Sequence, residues 1–429
     1  MPQIRLYPRT PKGHTLWQSL GPGLVTGAAD DDPSGVATYS QAGAQIGMPI
    51  LWTMPFTWPL MTAIQFVSGQ IGRVTGQGLS ANIRKYCGAK LAHPIMLLLF
   101  LANVFNLGAD ISAMGSATTL IVGGDPQIFA VLLAVISVVL QVLVPYHRYS
   151  HVLKWLTCVL FAYLGVMLFV HVSWSDVLLG TFLPTISWNE SYMTTFVALL
   201  GTTITPYCFF WQSSQEVEEI RTHRKTEHAL RRHPEEAPRA LRMLRTDTLT
   251  GMGISNIVAY FIILATAATL HAHHVTDIST AEQAAQALQP LAGPFCSALF
   301  AIGILGTGLL AVPVLAGSAA FAVAEGLRFK SSLEAKPSHA KRFYFVLTLA
   351  TLLGVLIIYS GLNPIHALLW SAVINGVISA PIMVIIMMMG TRKKVMGAFT
   401  IKPIWRVLGW LATALMGIAV IIFFMTLFH

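Results

Sequence analysis

Three observations predict an all-α, polytopic membrane fold of about eleven transmembrane helices. Hydrophobic residues make up 55 % of the 429-residue chain and charged residues only 10 %, with a mean hydropathy of +0.65. A soluble domain of ordinary composition carries about 25 % charged residues. Apolar stretches of about 20 residues, long enough to cross a hydrocarbon core as helices, recur from end to end. All 27 lysines and arginines fall in or beside alternate connections between those stretches.

The apolar windows predict spans at 16–47, 50–72, 92–122, 127–145, 152–173, 192–219, 246–270, 295–325, 343–360, 364–389 and 404–427. They form a single membrane domain, 1–429. Residues 1–15 are a polar, basic tail. Helices one to five occupy 16–173, helices six to ten 192–389, and the eleventh 404–427. The first apolar run is too long and too interrupted to be the core of a cleavable signal. Residues 274–294 form a polar connector rich in Ala and Gln, expected to hold a short surface helix.

The basic residues lie in the tail, in the loops after spans two, four, six, eight and ten, or in the first residues of the span that follows (Lys154 and Arg406), and none lies in the loops between. The positive-inside rule then puts the N-terminus in the cytoplasm and His429 outside, in a plasma membrane such as a bacterial inner membrane. This placement accounts for the net charge of +9 and a pI near 9.5 without a nucleic-acid partner. The loop 221–245, which also carries Glu227, Glu235 and Glu236, reads as a solvated cytoplasmic connector. Cys87, Cys158, Cys208 and Cys296 show neither CxxC spacing nor a disulfide pattern. No HExxH, GxSxG or P-loop motif is present, which argues against an enzyme or an ATP-driven pump.

Two spans are interrupted by polar residues. In the first, 16–29 and 36–48 flank Asp30-Asp31-Asp32-Pro33-Ser34-Gly35. A carboxylate at that depth costs at least a few kcal/mol unless it meets water, a cation or a donor. Pro33 removes a backbone donor and Gly35 tolerates unusual dihedrals, so the helix should unwind locally. Unwound backbone at mid-membrane must face protein or a water-filled cavity. Asp32 suits an N-cap with Pro33 at the first helical position. Capping alone leaves three consecutive acids at midplane unexplained, and a cation-related role accounts for them. Asp30 and Asp31 either share that role or sit solvated in a vestibule.

The sixth span carries the second interruption, at Gly201-Thr202-Thr203-Ile204-Thr205-Pro206-Tyr207-Cys208. A single mid-span proline ordinarily means a kink. Here it falls in the first helix of the second half. Two five-helix halves have opposite orientation, so the layout is that of two inverted repeats with a site between two discontinuous helices. Unwound carbonyls and a carboxylate offer hard oxygen ligands to a cation.

These segments resemble the NRAMP (natural resistance-associated macrophage protein) family of divalent-metal transporters, or an offshoot with an altered metal site. Gly21-Pro22-Gly23, Asp32-Pro33-Ser34-Gly35-Val36-Ala37 and Gln41-Ala42-Gly43-Ala44 are similar to the family's GPG, metal-binding DPGN and QAGA-like stretches. Residues 201–207 are similar to its sixth-helix segment, which ends in Met-Pro-His. Asp110, within 106–115, resembles an acidic stretch associated with proton movement. The resemblance implies a LeuT-like fold and a metal site at Asp32, Gly35, Thr202, Thr205, Asp31 and Tyr207, with Asp110 as a proton relay.

The departures fall in that same site. Ser34 replaces Gly, Gly35 the ligating Asn, Thr205 the ligating Met, Tyr207 the His, and Ala113 a Glu found in many relatives. Loss of the thioether removes a soft ligand and favours harder ions such as Mn²⁺, Mg²⁺ or Ca²⁺. Loss of the His and Glu puts proton coupling in question.

The implied function is a secondary transporter of divalent metal cations, Mn²⁺/Fe²⁺-like or harder ions such as Mg²⁺, working by alternating access. The metal is substrate, and no cofactor is expected. Expected partners are divalent ions, protons if transport is coupled, and the lipid bilayer. Cys208 reads either as a replacement soft ligand or as a small packing residue. His271, His273 and His274 read as a solvated turn or an outer metal trap. Glu216, Glu218 and Glu219 read as a cytoplasmic exit or as partners of Arg221 and Arg224, and Glu325 as a partner of Arg328. Two other readings keep the fold: transport of an organic cation or amino acid against Tyr39, Tyr207, Phe209, Phe210 and Trp211, or a membrane sensor that moves nothing.

Overall fold

The structure is a computed structural model that describes residues 22–144, 157–222 and 228–427. The basic tail, residues 16–21 of the first span, Arg148, Lys154, Arg224, Lys225, Glu227 and His429 lie outside the described residues. Every regular element among the described residues is helical.

The first span is two pieces, α1 (Pro22–Asp30) and α2 (Pro33–Ile46). The chain breaks where the sequence demands it. Pro33 occupies the first turn of α2, and Asp32, in extended backbone at φ −66° and ψ 171°, caps it. After α3 (Thr53–Thr75), Gly76 stops the helix with φ +66°, a left-handed cap that a side chain would strain. α4 (Leu79–Cys87) leads into the 34-residue α5 (Ala89–Val122), and α6 (Pro126–Leu143) starts on an Asp125 cap. Past residue 157 come a 3₁₀ turn, Thr157–Phe161, then α7 (Ala162–Val166) and α8 (Trp174–Phe182).

The second half opens with α9 (Glu190–Thr203) and α10 (Pro206–Thr222), again separated at a proline. It continues through α11 (Ala237–Thr269), α12 (Ala281–Gln286), α13 (Cys296–Gly326), α14 (Lys341–Ile358) and α15 (Pro364–Thr391). α16 (Pro403–Leu427) follows. The connector helix expected within 274–294 is α12, held by a Thr280–Gln283 capping box.

Among the described residues, 8 helical segments are long and apolar enough to cross a membrane, and they coincide with eight of the expected spans. The other three differ for physical reasons. The first is split into halves of 9 and 14 residues. α3 has the length, but Gln65, Ser68, Gln70 and Arg73 dilute its apolar character. The fifth span begins outside the described residues, and its described part is a 3₁₀ turn and one short helix. The seventh helix starts at Ala237 rather than 246, so the end of the expected 221–245 connector is helix. A hydropathy window cannot see a helix continue into polar sequence.

The helices pack in two groups. α1, α2 and α3 lie against α11, and α3 also lies against α10. In the other group α5 packs on α6, α13 and α14. The α1–α11 contact is close because a Cβ at Gly27 would fall on the backbone of Gly251, so only glycine fits there. α15 touches α2, α5 and α9, which closes the groups around the two helix breaks.

Candidate metal site

The two breaks meet. α1 ends at Asp30 and α9 at Thr203, and the last carbonyls of any helix lack partners within it. The Ala29 carbonyl accepts the Tyr207 hydroxyl at 2.9 Å, and Ser379 donates to the Ile204 carbonyl at 2.7 Å. Ile204 itself is bent out of helix, with φ −119° and ψ 64°.

Asp30, Asp31, Asp32 and Asp110 are all buried, with relative exposures of 2, 4, 1 and 0 %. Asp32 Oδ1 accepts the Gly35 N–H at 2.7 Å, which is the cap. Its Oδ2 accepts from the Asn106 amide at 3.3 Å and lies 3.1 Å from the Tyr207 hydroxyl, whose single proton goes either there or to the Ala29 carbonyl. The capping geometry thus accounts for one oxygen and leaves the other facing α5 and α10. Asp110, also on α5, is close enough to Asp32 for the two charges to repel, and its oxygens make no hydrogen bond of ordinary geometry among the described residues.

Thr205 reaches Asp30 rather than Asp32. Its hydroxyl donates to Asp30 Oδ1 at 3.2 Å, and the Cys208 thiol lies 3.7 Å from the same oxygen. Ser255 Oγ lies 3.2 Å from Asp30 Oδ2 and 3.0 Å from Asp31 Oδ1. One hydroxyl carries one proton, so Ser255 can donate to only one of these carboxylates at a time. Gly35 lies against Thr202: a Cβ there would sit 3.0 Å from the Asp30 carbonyl and 3.3 Å from Thr202 Oγ1. The eight residues singled out in the sequence therefore gather around the two breaks.

Three contributors escaped the sequence reading. Ser255 and Asn106 are polar residues in apolar helices, of the kind that usually serve helix packing. Asp247 accepts the Gly23 N–H at 2.6 Å, tying the start of α1 to α11. The signal was present in each case as a polar residue in or beside an apolar span, but the partner lies more than 70 residues away.

Other expectations fare differently. Glu216 and Glu219 pair with Arg73 of α3 at 3.6 and 3.4 Å, while Glu218 takes Arg221 at 3.0 Å. Glu325 accepts from Ser214 at 2.9 Å and forms no ion pair with Arg328, which leaves the end of α13 with left-handed backbone at φ +63°. His271 is spent on the Ala44 carbonyl at 2.8 Å and His273 on the Thr269 carbonyl at 2.6 Å, so this turn fastens α11 to α2. Of the aromatic residues, Trp211 is committed to packing, edge-on to Phe321 at 6.1 Å.

The chain was compared with known proteins. The model of the family described as natural resistance-associated macrophage protein-like matches residues 23–426. A divalent metal cation transporter MntH of Mycobacterium leprae is 28 % identical over 94 % of this chain and 91 % of its own length. That of Deinococcus radiodurans is 26 % identical over 91 % and 86 %. The structure of an Eremococcus coleocola manganese transporter superposes with a TM-score of 0.75 at 18 % identity, covering 96 % of this chain and 88 % of that one. MhsT, solved in complex with L-phenylalanine, gives 0.65 at 12 % identity, over 95 % and 98 %. The last two establish a shared LeuT-like fold. The chain is an integral membrane protein and belongs to the Nramp family of membrane transporters, which are not enzymes.

Proposed function

We propose that the chain carries a divalent metal cation across a bacterial plasma membrane by alternating access, with Asp32 as the principal anionic ligand. The observation that carries this reading is the meeting of Asp30, Asp31, Asp32 and Asp110 at two helix breaks, with no lysine or arginine paired to them among the described residues. Burying one ion costs several kcal/mol, and a group of like charges costs more. Protons or a cation must offset them. A divalent ion does so in one event and finds oxygen ligands in place.

The donors are oxygens of carboxylates, of Thr205 and Tyr207, and of the carbonyls at the ends of α1 and α9, with the Cys208 thiol at the margin. That set favours hard ions that keep part of their water, Mn²⁺ or Mg²⁺, over ions that seek thioether or imidazole. The relatives, divalent metal cation transporters and a manganese transporter, support the same class of cargo. Asp110 is the proton-relay residue of this reading. It is buried beside the metal ligand and held by no other side chain, so a proton can serve as its counter-charge.

The test is ion flux into proteoliposomes, comparing Mn²⁺, Fe²⁺, Mg²⁺ and Ca²⁺ with and without a proton gradient. Mn²⁺ or Mg²⁺ should enter, and Asp32→Ala should abolish both entry and binding. If no divalent ion moves and Asp32→Ala binds metal as the wild type does, the proposal is wrong.

A further inference from the structure

Far from the helix breaks, between α10 and α11, His228, His233 and Glu236 bring one ligand atom each to within 4.8 Å of one another. The two imidazoles stack with centroids 4.1 Å apart. His228 Nδ1 lies 2.8 Å from Glu236 Oε1, and the backbone N–H of His228 donates to Glu236 Oε2 at 3.0 Å. His233 Nδ1 lies 3.1 Å from Glu235 Oε1. The side chains are partly open to water, with exposures of 35, 41 and 26 % for His228, His233 and Glu236.

We propose that His228, His233 and Glu236 form a second metal site on the cytoplasmic face, selective for a borderline ion such as Zn²⁺ or Co²⁺ and distinct from the transport site. Two imidazoles and a carboxylate suit those ions and leave coordination positions for water, whereas Mn²⁺ stands at the weak end of the order and Mg²⁺ prefers oxygen alone. The Glu235 carboxylate against His233 Nδ1 supplies the outer partner a ligating histidine needs and leaves Nε2 free to ligate. Around a bound ion at about 2.0–2.2 Å from each ligand, the three ligand atoms, now within 4.8 Å of one another, must adjust their spacing, and partly exposed side chains can do so. Arg221 and Arg232 line the adjoining cavity of about 280 Å³, and their charges weaken the attraction for a cation that Glu235 and Glu236 supply.

The place matters because of what the segment joins. The N–H groups of Leu230 and Arg231 bond to the carbonyls of Arg73 and Val74 at the end of α3, both at 3.2 Å. The Arg231 guanidinium reaches the Tyr86 hydroxyl at 3.0 Å and the Val395 carbonyl at 3.3 Å. Pro234–Glu236 then turns directly into α11, the helix that carries Ser255 to Asp30 and Asp31. An ion here therefore clamps the base of a helix that reaches the transport site about 27 Å away. Accumulated metal in the cytoplasm would act on transport through that helix.

The measurement is Co²⁺ titration of the purified full-length protein, read by its visible absorption and by calorimetry. The wild type should bind Co²⁺ at a site with nitrogen-ligand absorption bands. His228→Gln/His233→Gln should lose those bands, and Asp32→Ala should keep them. Glu236→Gln preserves the acceptor for the His228 N–H but removes the charge, and should weaken Co²⁺ at least tenfold with the unfolding temperature unchanged. Bands that persist in the double variant, or Co²⁺ affinity unchanged in Glu236→Gln, would overturn the site. Because Asp32→Ala removes only the transport site, failure of either site is read separately.

Discussion

At the scale of single residues, the proposed site is built from oxygen donors. The Thr205 hydroxyl points at Asp30, 3.2 Å away, and so extends the oxygen set away from Asp32. A methionine there would bring a thioether to the same place. Thr205→Met should raise preference for Mn²⁺ or Cd²⁺ over Mg²⁺ by about tenfold, equivalent to ~1.4 kcal/mol. Calorimetry with the three ions checks this, and an unchanged ranking would mean that Thr205 does not face the ion. Gly35 is a tighter case. A side chain there would start 3.0 Å from the Asp30 carbonyl and 3.3 Å from Thr202, so none is added without a shift of its neighbours.

At the scale of elements, α1 is held against α11 by small residues and a single hydrogen bond, while α3 and α10 are joined by the pairs of Arg73 with Glu216 and Glu219. α1 lies so close to α11 that Gly27 and Gly251 meet backbone to backbone. Gly27→Val should separate the two helices at a cost of about 1–3 kcal/mol, the usual range for overpacking. A lowered unfolding temperature in the same detergent reads this out, and an unaltered one would mean that α1 moves aside freely. This scale is also where the sequence was most and least legible. Both helix breaks were readable from Pro33 and Pro206, since a proline removes a local donor whatever surrounds it. The partners of the broken ends were not. Ser255, Asn106 and Asp247 act through contacts that only the packed helices create, and the bond of Thr205 to Asp30 depends on how the two broken helices face each other.

For the whole molecule, the distribution of charge carries the topology. Every lysine and arginine lies in or beside alternate connections between the expected spans, a pattern that a miscounted helix would scatter onto both faces. The expected outcome is a cytoplasmic N-terminus and an outer C-terminus, so alkaline phosphatase fused after His429 should be active and a fluorescent protein fused there dark. The reverse result would break the assignment of sides. Fold class was legible because composition and span length are global properties that survive errors in any one boundary. The fifth span was less so, since its described portion, 157–166, forms a 3₁₀ turn and a short helix where apolar sequence alone predicted one long one.

The bond between Gly23 and Asp247 has a consequence for time as well as shape. α1 has nine residues, fewer than an isolated helix needs to persist in water. What keeps it in place is borrowed from its neighbours. A hydrogen bond to a charged group is worth about 1.5–3 kcal/mol. Were that tether alone responsible, α1 would stand detached roughly one part in ten to one part in a hundred of the time. The share of molecules with α1 detached would then be set by one carboxylate of a neighbouring helix.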